Sequence, residues 1–336
     1  VRKKIVRGID VGYGNTKICH GGDVPSALKC EHFPSIASLH AGVDKGAGVM
    51  AKRELVEVES GGNVYLVGKD ALDTLSARDD QGRTLLTDFI FTPQHLALYR
   101  GGLRYLQEQN IDLLVSGLPV NYFSQHKEHM EQRLKGIHQY PDGIEINVKE
   151  VWIVPQPIGG FIHYFFDNDD IEDLSDLKSL TIDVGYFTLD WLVCRGLKLL
   201  DERSGSCPGG MSLILEKLTQ FIGEERGVPF SDYHMVDKGV RNGYKTRIQG
   251  KPYDFSHFIP RIEGYITNSI QSMLRSVGTL DDIDVIVLVG GGGHCYQSVL
   301  QKLLNDREII MPDHGVYSNV KGFYLAGAER VKQSEN

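Results

Sequence analysis

The sequence predicts an α/β protein built from two domains of one plan that meet at a cleft. Three observations carry this reading. The chain has 336 residues, long for a single compact core. Short aliphatic segments with strand character alternate with segments of helical period along both halves. And the segment IVRGIDVGYGNTKI, around Asp10, returns as SLTIDVGYFTLDWL around Asp183, 173 residues later. A repeat of that length means a duplicated supersecondary unit.

Composition excludes several classes. The chain is 41% hydrophobic and 24% charged, ordinary for a soluble globular protein. A formal net charge of -8 argues against broad, direct nucleic-acid binding. Five cysteines, none in a CxxC pair, read as reduced thiols of a cytosolic protein. No run approaches 18 apolar residues, so no membrane span is expected. The basic start, Val1–Gly8, has no apolar signal core after it and runs into a strand. The expectation is a cytoplasmic protein without a membrane partner.

The elements follow in order. Residues 5–10 read as a strand, Gly12 and Gly14 as a turn, and 17–19 as extended again, a strand–turn–strand unit. Residues 33–37 form a short strand, 40–52 a Gly/Ala-rich loop, and 55–59 with 63–67 a hairpin around Gly61-Gly62. A short helix is expected over 68–75 and a polar loop over 78–84. The 3.6 period over 89–107 predicts a long helix starting near Pro93. Then come a buried strand over 111–117, a helix over 125–134, strands within 136–148 joined by the Pro141-Asp142-Gly143 turn, a strand over 151–154 and a helix over 157–166. The acidic stretch 168–179 marks the boundary between domains 1–167 and 168–336, with insertions at about 20–85 and 210–257. Strands follow over 179–183, 188–194 and 196–200, a glycine-rich loop over 204–210, a helix over 211–223 and short extended pieces over 239–253. A long helix over 258–277, an aliphatic strand over 283–289, a helix over 296–304, a strand over 308–311 and a helix over 319–329 complete the chain, with a frayed end.

The two turns carry the chemistry. In Asp10-Val11-Gly12-Tyr13-Gly14-Asn15-Thr16-Lys17 the glycines let backbone N–H groups approach phosphate oxygens. Lys17 balances phosphate charge. Asp10 repels phosphate, but it can hold a hydrated Mg²⁺ that bridges to it. The pattern is neither G-x-x-x-x-G-K-[ST] nor G-x-G-x-x-G. In the second turn Asp183, Gly185, Tyr186, Thr188 and Asp190 repeat the geometry. Asp183 suits a metal-bound or attacking water, Thr188 a phosphate contact, and Asp190 either the site or the core. Gly290, Gly291, Gly292 and Gly293 follow a buried strand where a base and ribose need close backbone approach. His294 is either a ligand contact or a helix-start residue. Gln156, fixed between Pro155 and Pro157, can orient a water toward a terminal phosphate. Asn319, Gly322 and Gly327 mark a helix whose glycines imply close packing near a hinge.

Together these segments resemble the five signatures of the actin, Hsp70 and sugar-kinase superfamily, in order and from end to end. Asp10–Lys17 looks like phosphate-1, Pro155–Gly160 like connect-1, Asp183–Asp190 like phosphate-2, Val287–Gly293 like the adenosine segment and Asn319–Gly327 like connect-2. Within it the chain is most similar to the bacterial actin-like ParM/StbA plasmid-segregation proteins, through Val115–Pro119, Cys207–Gly210 and Asn319–Phe323. The resemblance implies a duplicated actin-like, ribonuclease H-like fold around a nucleotide cleft. It also implies ATP or GTP with Mg²⁺, slow hydrolysis, filament assembly and a DNA-binding adaptor. By position, Asp10 and Asp183 would coordinate the hydrated metal, Lys17 would contact phosphate, Gln156 would place the attacking water, and Glu216 or Lys217 would lie near the base or ribose. Tyr186-Phe187 departs from the family's small residues and narrows the space near the phosphates. A non-polymerising nucleotide switch and a small-molecule kinase are the alternatives with the same fold.

Overall fold

The computed structural model describes residues 2–21, 27–40, 53–75, 88–168 and 176–335. The expected loop at 40–52 from residue 41 on, the loop at 78–84, and much of the boundary at 168–179 lie outside these residues. The first half begins with β1 (Val6–Val11), β2 (Asn15–His20) and β3 (Lys29–Pro34). After β4 (Ser38–Leu39), the hairpin β5 (Leu55–Ser60) and β6 (Asn63–Gly68) forms a small separate sheet with it. Helix α1 (Pro93–Tyr105) starts where Thr92 accepts a hydrogen bond from the His95 amide, with Pro93 needing none. Then come β7 (Asn110–Leu118), α2 (Val120–Leu134), β8 (Gly136–Gln139), β9 (Glu145–Pro155) and α3 (Gln156–Phe166). The main sheet runs β3-β2-β1-β7-β9-β8, with β1, β7 and β9 parallel.

The second half repeats the plan. A hairpin, β10 (Lys178–Val184) and β11 (Thr188–Arg195), is followed by β12 (Lys198–Leu199), β13 (Gly205–Pro208), α4 (Met211–Arg226) and α5 (Tyr233–Arg241). The hairpin β14 (Lys245–Ile248) and β15 (Lys251–Asp254) leads to α6 (Ile259–Val277), β16 (Val285–Val289), α7 (Gly293–Leu303) and α8 (Ser318–Glu335). The sheet runs β12-β11-β10-β16, with β13 on β11. All five residues of β16 are buried, as an aliphatic run covered on both faces must be. In each half, a hairpin is flanked by a parallel strand at its first member. This is an α/β actin-like fold of mixed sheets with flanking helices.

Helices α3 and α8 cross between the two sheets. Ile158, Phe161 and Ile162 of α3 and Val320, Phe323 and Leu325 of α8 form one core with Val115 of the first sheet and Val287 and Val289 of the second. The crossing is tight. A Cβ on Gly322 would sit 2.5 Å from the Gly159 carbonyl carbon, and one on Gly159 would sit 2.8 Å from the Asn319 Cα. Glycine at both positions lets the backbones touch.

Several elements differ from expectation for local reasons. Helix α2 starts at Val120 rather than 125, because Pro119 sets the backbone before it. Residues 68–75 contribute only a 3-10 turn, Ala71–Thr74. The glycine-rich stretch 204–210 contains β13, held by pairing with β11 rather than by propensity. One strand, β9, replaces two. Helix α5, Tyr233–Arg241, lies where no helix is expected and overlaps the start of the stretch 239–253 expected as extended. Of 308–311, only Ile310 pairs, in a single parallel bridge to Val287. Helix α8 runs on to Glu335 instead of ending at 329. Among the described residues, no helix is long and apolar enough to cross a membrane.

Candidate functional site

The two repeated turns face each other over one cavity. In the first hairpin Asp10 pairs across the strands with Lys17, and the Gly12 amide donates to the Asn15 carbonyl at 3.2 Å. In the second, Asp183 pairs with Asp190, and the Gly185 amide donates to the Thr188 carbonyl at 3.0 Å. The backbone frame is therefore the same, while the residue opposite the key aspartate changes from a cation to a carboxylate.

Each aspartate is also held by an amide from a crossing helix. Gln156, in the first turn of α3, donates from Nε2 to Asp10 Oδ1 at 2.9 Å. Asn319, in the first turn of α8, donates from Nδ2 to Asp183 Oδ2 at 2.6 Å. Asp10 is 1% exposed and Asp183 8%. Such buried carboxylates persist because they are hydrogen-bonded and paired. Lys17 Nζ completes the Asp10 set at 2.8 Å from Oδ2.

Burial governs the electrostatics. It works against the Lys17 charge, but the Asp10 and Asp183 carboxylates outweigh it and hold the Lys17 pKa above its ordinary value. Burial pushes Asp183 up; the Lys17 charge opposes this and the Asp10 charge adds to it. Asp190 is pushed up to about 7, by burial first and the Asp183 charge second. The Thr188 hydroxyl donates to Asp190 Oδ2 at 2.5 Å.

The second turn is clamped from behind. The amides of Gly210, Met211 and Ser212 donate to the carbonyls of Phe187, Gly185 and Tyr186 at 3.0, 3.0 and 2.6 Å. The start of α4, whose N–H groups have no partner within the helix, finds its partners in the turn. Gly290 has φ +87°, and a Cβ there would collide with the Asp183 carboxylate and the Val184 carbonyl. Only glycine serves at that position.

The turns also touch each other. Tyr13 packs on Phe187 with ring centroids 4.9 Å apart. Reciprocally, Tyr186 lies over Gly14, where an added Cβ would be 2.7 Å from the Tyr186 Cβ. Matched by the repeat, Tyr13 corresponds to Tyr186 and Gly14 to Phe187. Each tyrosine thus meets the residue that follows its counterpart.

Asp10, Gly12, Tyr13, Gly14, Asn15, Lys17, Gln156, Asp183, Gly185, Tyr186, Thr188, Gly290, Gly291 and Gly292 line the cavity, with Asp190 and Asn319. Thr16 does not: it is fully buried, with its hydroxyl 3.0 Å from that of Ser35, because strand alternation turns it to the other face. Glu216 and Lys217 pair with each other on the outer face of α4, Lys217 over the Tyr265 ring, away from the lining. Gly293 and His294 open α7 outside the lining, and His294 is exposed. Sequence reasoning missed Arg241, at the end of α5, as well as His95 and Val316. Val236 and Val240, spaced i and i+4, signal the α5 helix; nothing in sequence says that Arg241 reaches the cleft. The cavity measures about 70 Å³.

Known proteins share this architecture. Residues 8–159 match the family profile described as actin like proteins N terminal domain, and residues 181–302 match archaeal actin homologue MreB-like, C-terminal. An archaeal actin homolog of Thermoplasma volcanium is 26% identical over 97% of this chain and 99% of its own. A crystal structure of an archaeal actin homolog in complex with ADP superposes with a TM-score of 0.73 at 20% identity, covering 97% of this chain and 99% of the other. A 15-stranded ParM filament from Clostridium botulinum superposes with a TM-score of 0.72 at 20% identity, covering 99% and 100%.

Proposed function

Because this chain belongs to the actin-like ATPase superfamily, we propose that it binds a nucleoside triphosphate with Mg²⁺ in the cleft, hydrolyses it slowly and assembles into filaments. ATP is the favoured nucleotide, with GTP the alternative. The single observation that carries the reading is the pair of Asp-Gly turns, Asp10–Lys17 and Asp183–Asp190, brought face to face over one cavity. The close backbone approach that the turn glycines allow, together with Lys17, suits the phosphate chain. The likeness to the ADP-bound archaeal actin homolog supports the nucleotide, and the likeness to the ParM filament supports assembly.

The donor set fits Mg²⁺. Asp10 and Asp183 are acceptors when ionised, and both border the cavity. An Mg²⁺ held by these two carboxylates would keep most of its water. When bound, the ion neutralises charge on the phosphate oxygens. The protein's own part is positional. Lys17 meets phosphate charge, Gln156 orients a water, and Thr188 offers a hydroxyl. Arg241, which lines the cavity, would meet the base or ribose. A cavity of about 70 Å³ takes a phosphate group, whereas small-molecule sites span roughly 300–1,000 Å³. Nucleotide binding therefore requires the two lobes, meeting near residues 167–168, to part and reclose around the α3–α8 crossing.

In the cell we place the filament in the cytoplasm, acting in segregation of plasmid DNA through an adaptor that itself binds DNA; the acidic net charge of -8 supports indirect contact. The test is pelleting across protein concentrations with Mg²⁺ and ATP, GTP or a slowly hydrolysed analogue. Polymerisation predicts phosphate release that rises steeply above a critical concentration. Tight nucleotide binding with no pelleting would overturn assembly and leave a switch protein.

A further inference from the structure

Cys19 of β2 and Cys30 of β3 stand directly opposite each other in antiparallel register. Their sulfurs are 2.8 Å apart, closer than two sulfur atoms sit in simple packing and near the roughly 2.0 Å of a disulfide. Opposed residues of antiparallel strands have Cα atoms about 4.5–5.5 Å apart, within the roughly 4.4–6.8 Å that a disulfide spans. The bond therefore forms without moving the backbone. Cys19 is fully buried, whereas Cys30 is half-buried. Cys30 is thus the more exposed residue of the pair, and Cys19 the fully enclosed one.

The remaining cysteines differ. Cys194 pairs in register with Ser179 and Leu199, and Cys207 with Leu189. The Cys295 sulfur lies 3.9 Å from the Tyr244 hydroxyl. Burial pushes these three thiols up to about 12, 11 and 11; the Cys30 contact and burial push Cys19 up as well, so it is the facing sulfur, not titration, that sets the Cys19–Cys30 pair apart.

We propose that Cys19 and Cys30 form a reversible dithiol–disulfide pair, a modification site oxidised by small-molecule disulfides. The Cys30 thiolate attacks one sulfur of the reagent and expels one small thiolate. Cys19, losing its proton, then attacks the Cys30 sulfur of the mixed disulfide and expels the second. Two protein thiols become one disulfide, the reagent is reduced to two thiols, and these keep the two protons. The bond ties β3 to β2. Those strands also carry Lys17 and His32, and His32 Nδ1 lies 2.6 Å from the Tyr317 hydroxyl, just before α8. Oxidation therefore fixes β3, one of the strands that touch the segment just before α8.

The test treats the full chain, in its native state, with oxidised glutathione, then quenches in acid, alkylates and weighs it. The expected product has lost two hydrogens, carries no glutathione, and has three alkylatable thiols instead of five. Digestion yields a Cys19–Cys30 linked peptide, and dithiothreitol restores five thiols. Cys19→Ser should retain a stable glutathione on Cys30, since the resolving sulfur is gone. The proposal is overturned if the wild type keeps five free thiols, if it holds glutathione on Cys30 as the Cys19→Ser variant does, or if the linked peptide joins other cysteines.

Discussion

Replacing Gly322 by alanine tests the helix crossing on which the cleft depends. The new Cβ would lie 2.5 Å from the Gly159 carbonyl carbon, against an optimal separation of roughly 3.5–4.0 Å. Helices α3 and α8 must then part by about 1 Å. The obstacle is backbone, which no rotamer change can clear, so the cost sits near the upper end of the usual overpacking range, about 3 kcal/mol. Alanine's better helix propensity returns about 1 kcal/mol, leaving a net loss of about 2 kcal/mol. Gly264→Ala in α6 is the control, because a Cβ there meets nothing within 4 Å; it should gain up to about 1 kcal/mol. Urea unfolding of both variants gives the comparison through shifted midpoints at unchanged slope. The same parting moves Asn319 relative to Asp183 and Gln156 relative to Asp10, so turnover in Gly322→Ala should fall by roughly 10²-fold. Equal midpoints for Gly322→Ala, Gly264→Ala and the wild type would refute the close crossing. A destabilised Gly322→Ala with normal turnover would instead show that the crossing does not set the site.

The other predictions concern the cleft itself. Asp183→Ala should abolish nucleotide turnover while leaving measurable nucleotide binding, as followed by phosphate release and calorimetry; normal turnover would remove Asp183 from the reaction. Gln156→Ala should slow single-turnover hydrolysis by roughly 10²-fold and prolong the triphosphate state, and an unchanged rate would place water orientation elsewhere. Asp190 has a folded-state pKa raised from 3.8 to about 7 by burial and then by Asp183. Between those values the folded protein holds a proton that the unfolded chain has released, so stability falls as pH rises through that window, by up to about 1.4 kcal/mol per pH unit for this group. Asp190→Asn should flatten that decline and stabilise the nucleotide-free protein at pH 8. Thermal unfolding of both proteins from pH 5 to 8 checks this, and parallel profiles would count against a buried, neutralised Asp190.

The duplicated turns were legible because the repeat is written in the residues that make the turn, Ile-Asp-Val-Gly-Tyr in both halves. Long periodic elements such as α1 and α6 were legible for the same reason, as pattern and local structure coincide there. The strand β13 was hidden because Gly205 and Pro208 have little strand propensity and pairing with β11 decides their conformation. The bonds from Gln156 to Asp10 and from Asn319 to Asp183 span 146 and 136 residues, and no local pattern encodes them. Arg241 escaped notice for two causes: the sequence over 239–253 reads as extended pieces where α5 ends, and the face of that helix that meets the cleft is a property of packing. Thr16 shows the reverse case, where a turn motif names a residue that strand alternation then turns away.

Two copies of one hairpin facing each other approximate a twofold site, and a site with true twofold symmetry would accept a chain of phosphates in either direction. Two matched pairs break that equivalence. Gly14 stands where the second turn has Phe187, and Lys17 stands where it has Asp190. One turn therefore presents bare backbone and a cation to the cavity, and the other an acid, its Phe187 ring being packed on Tyr13 instead. Those two differences give the cleft a head and a tail.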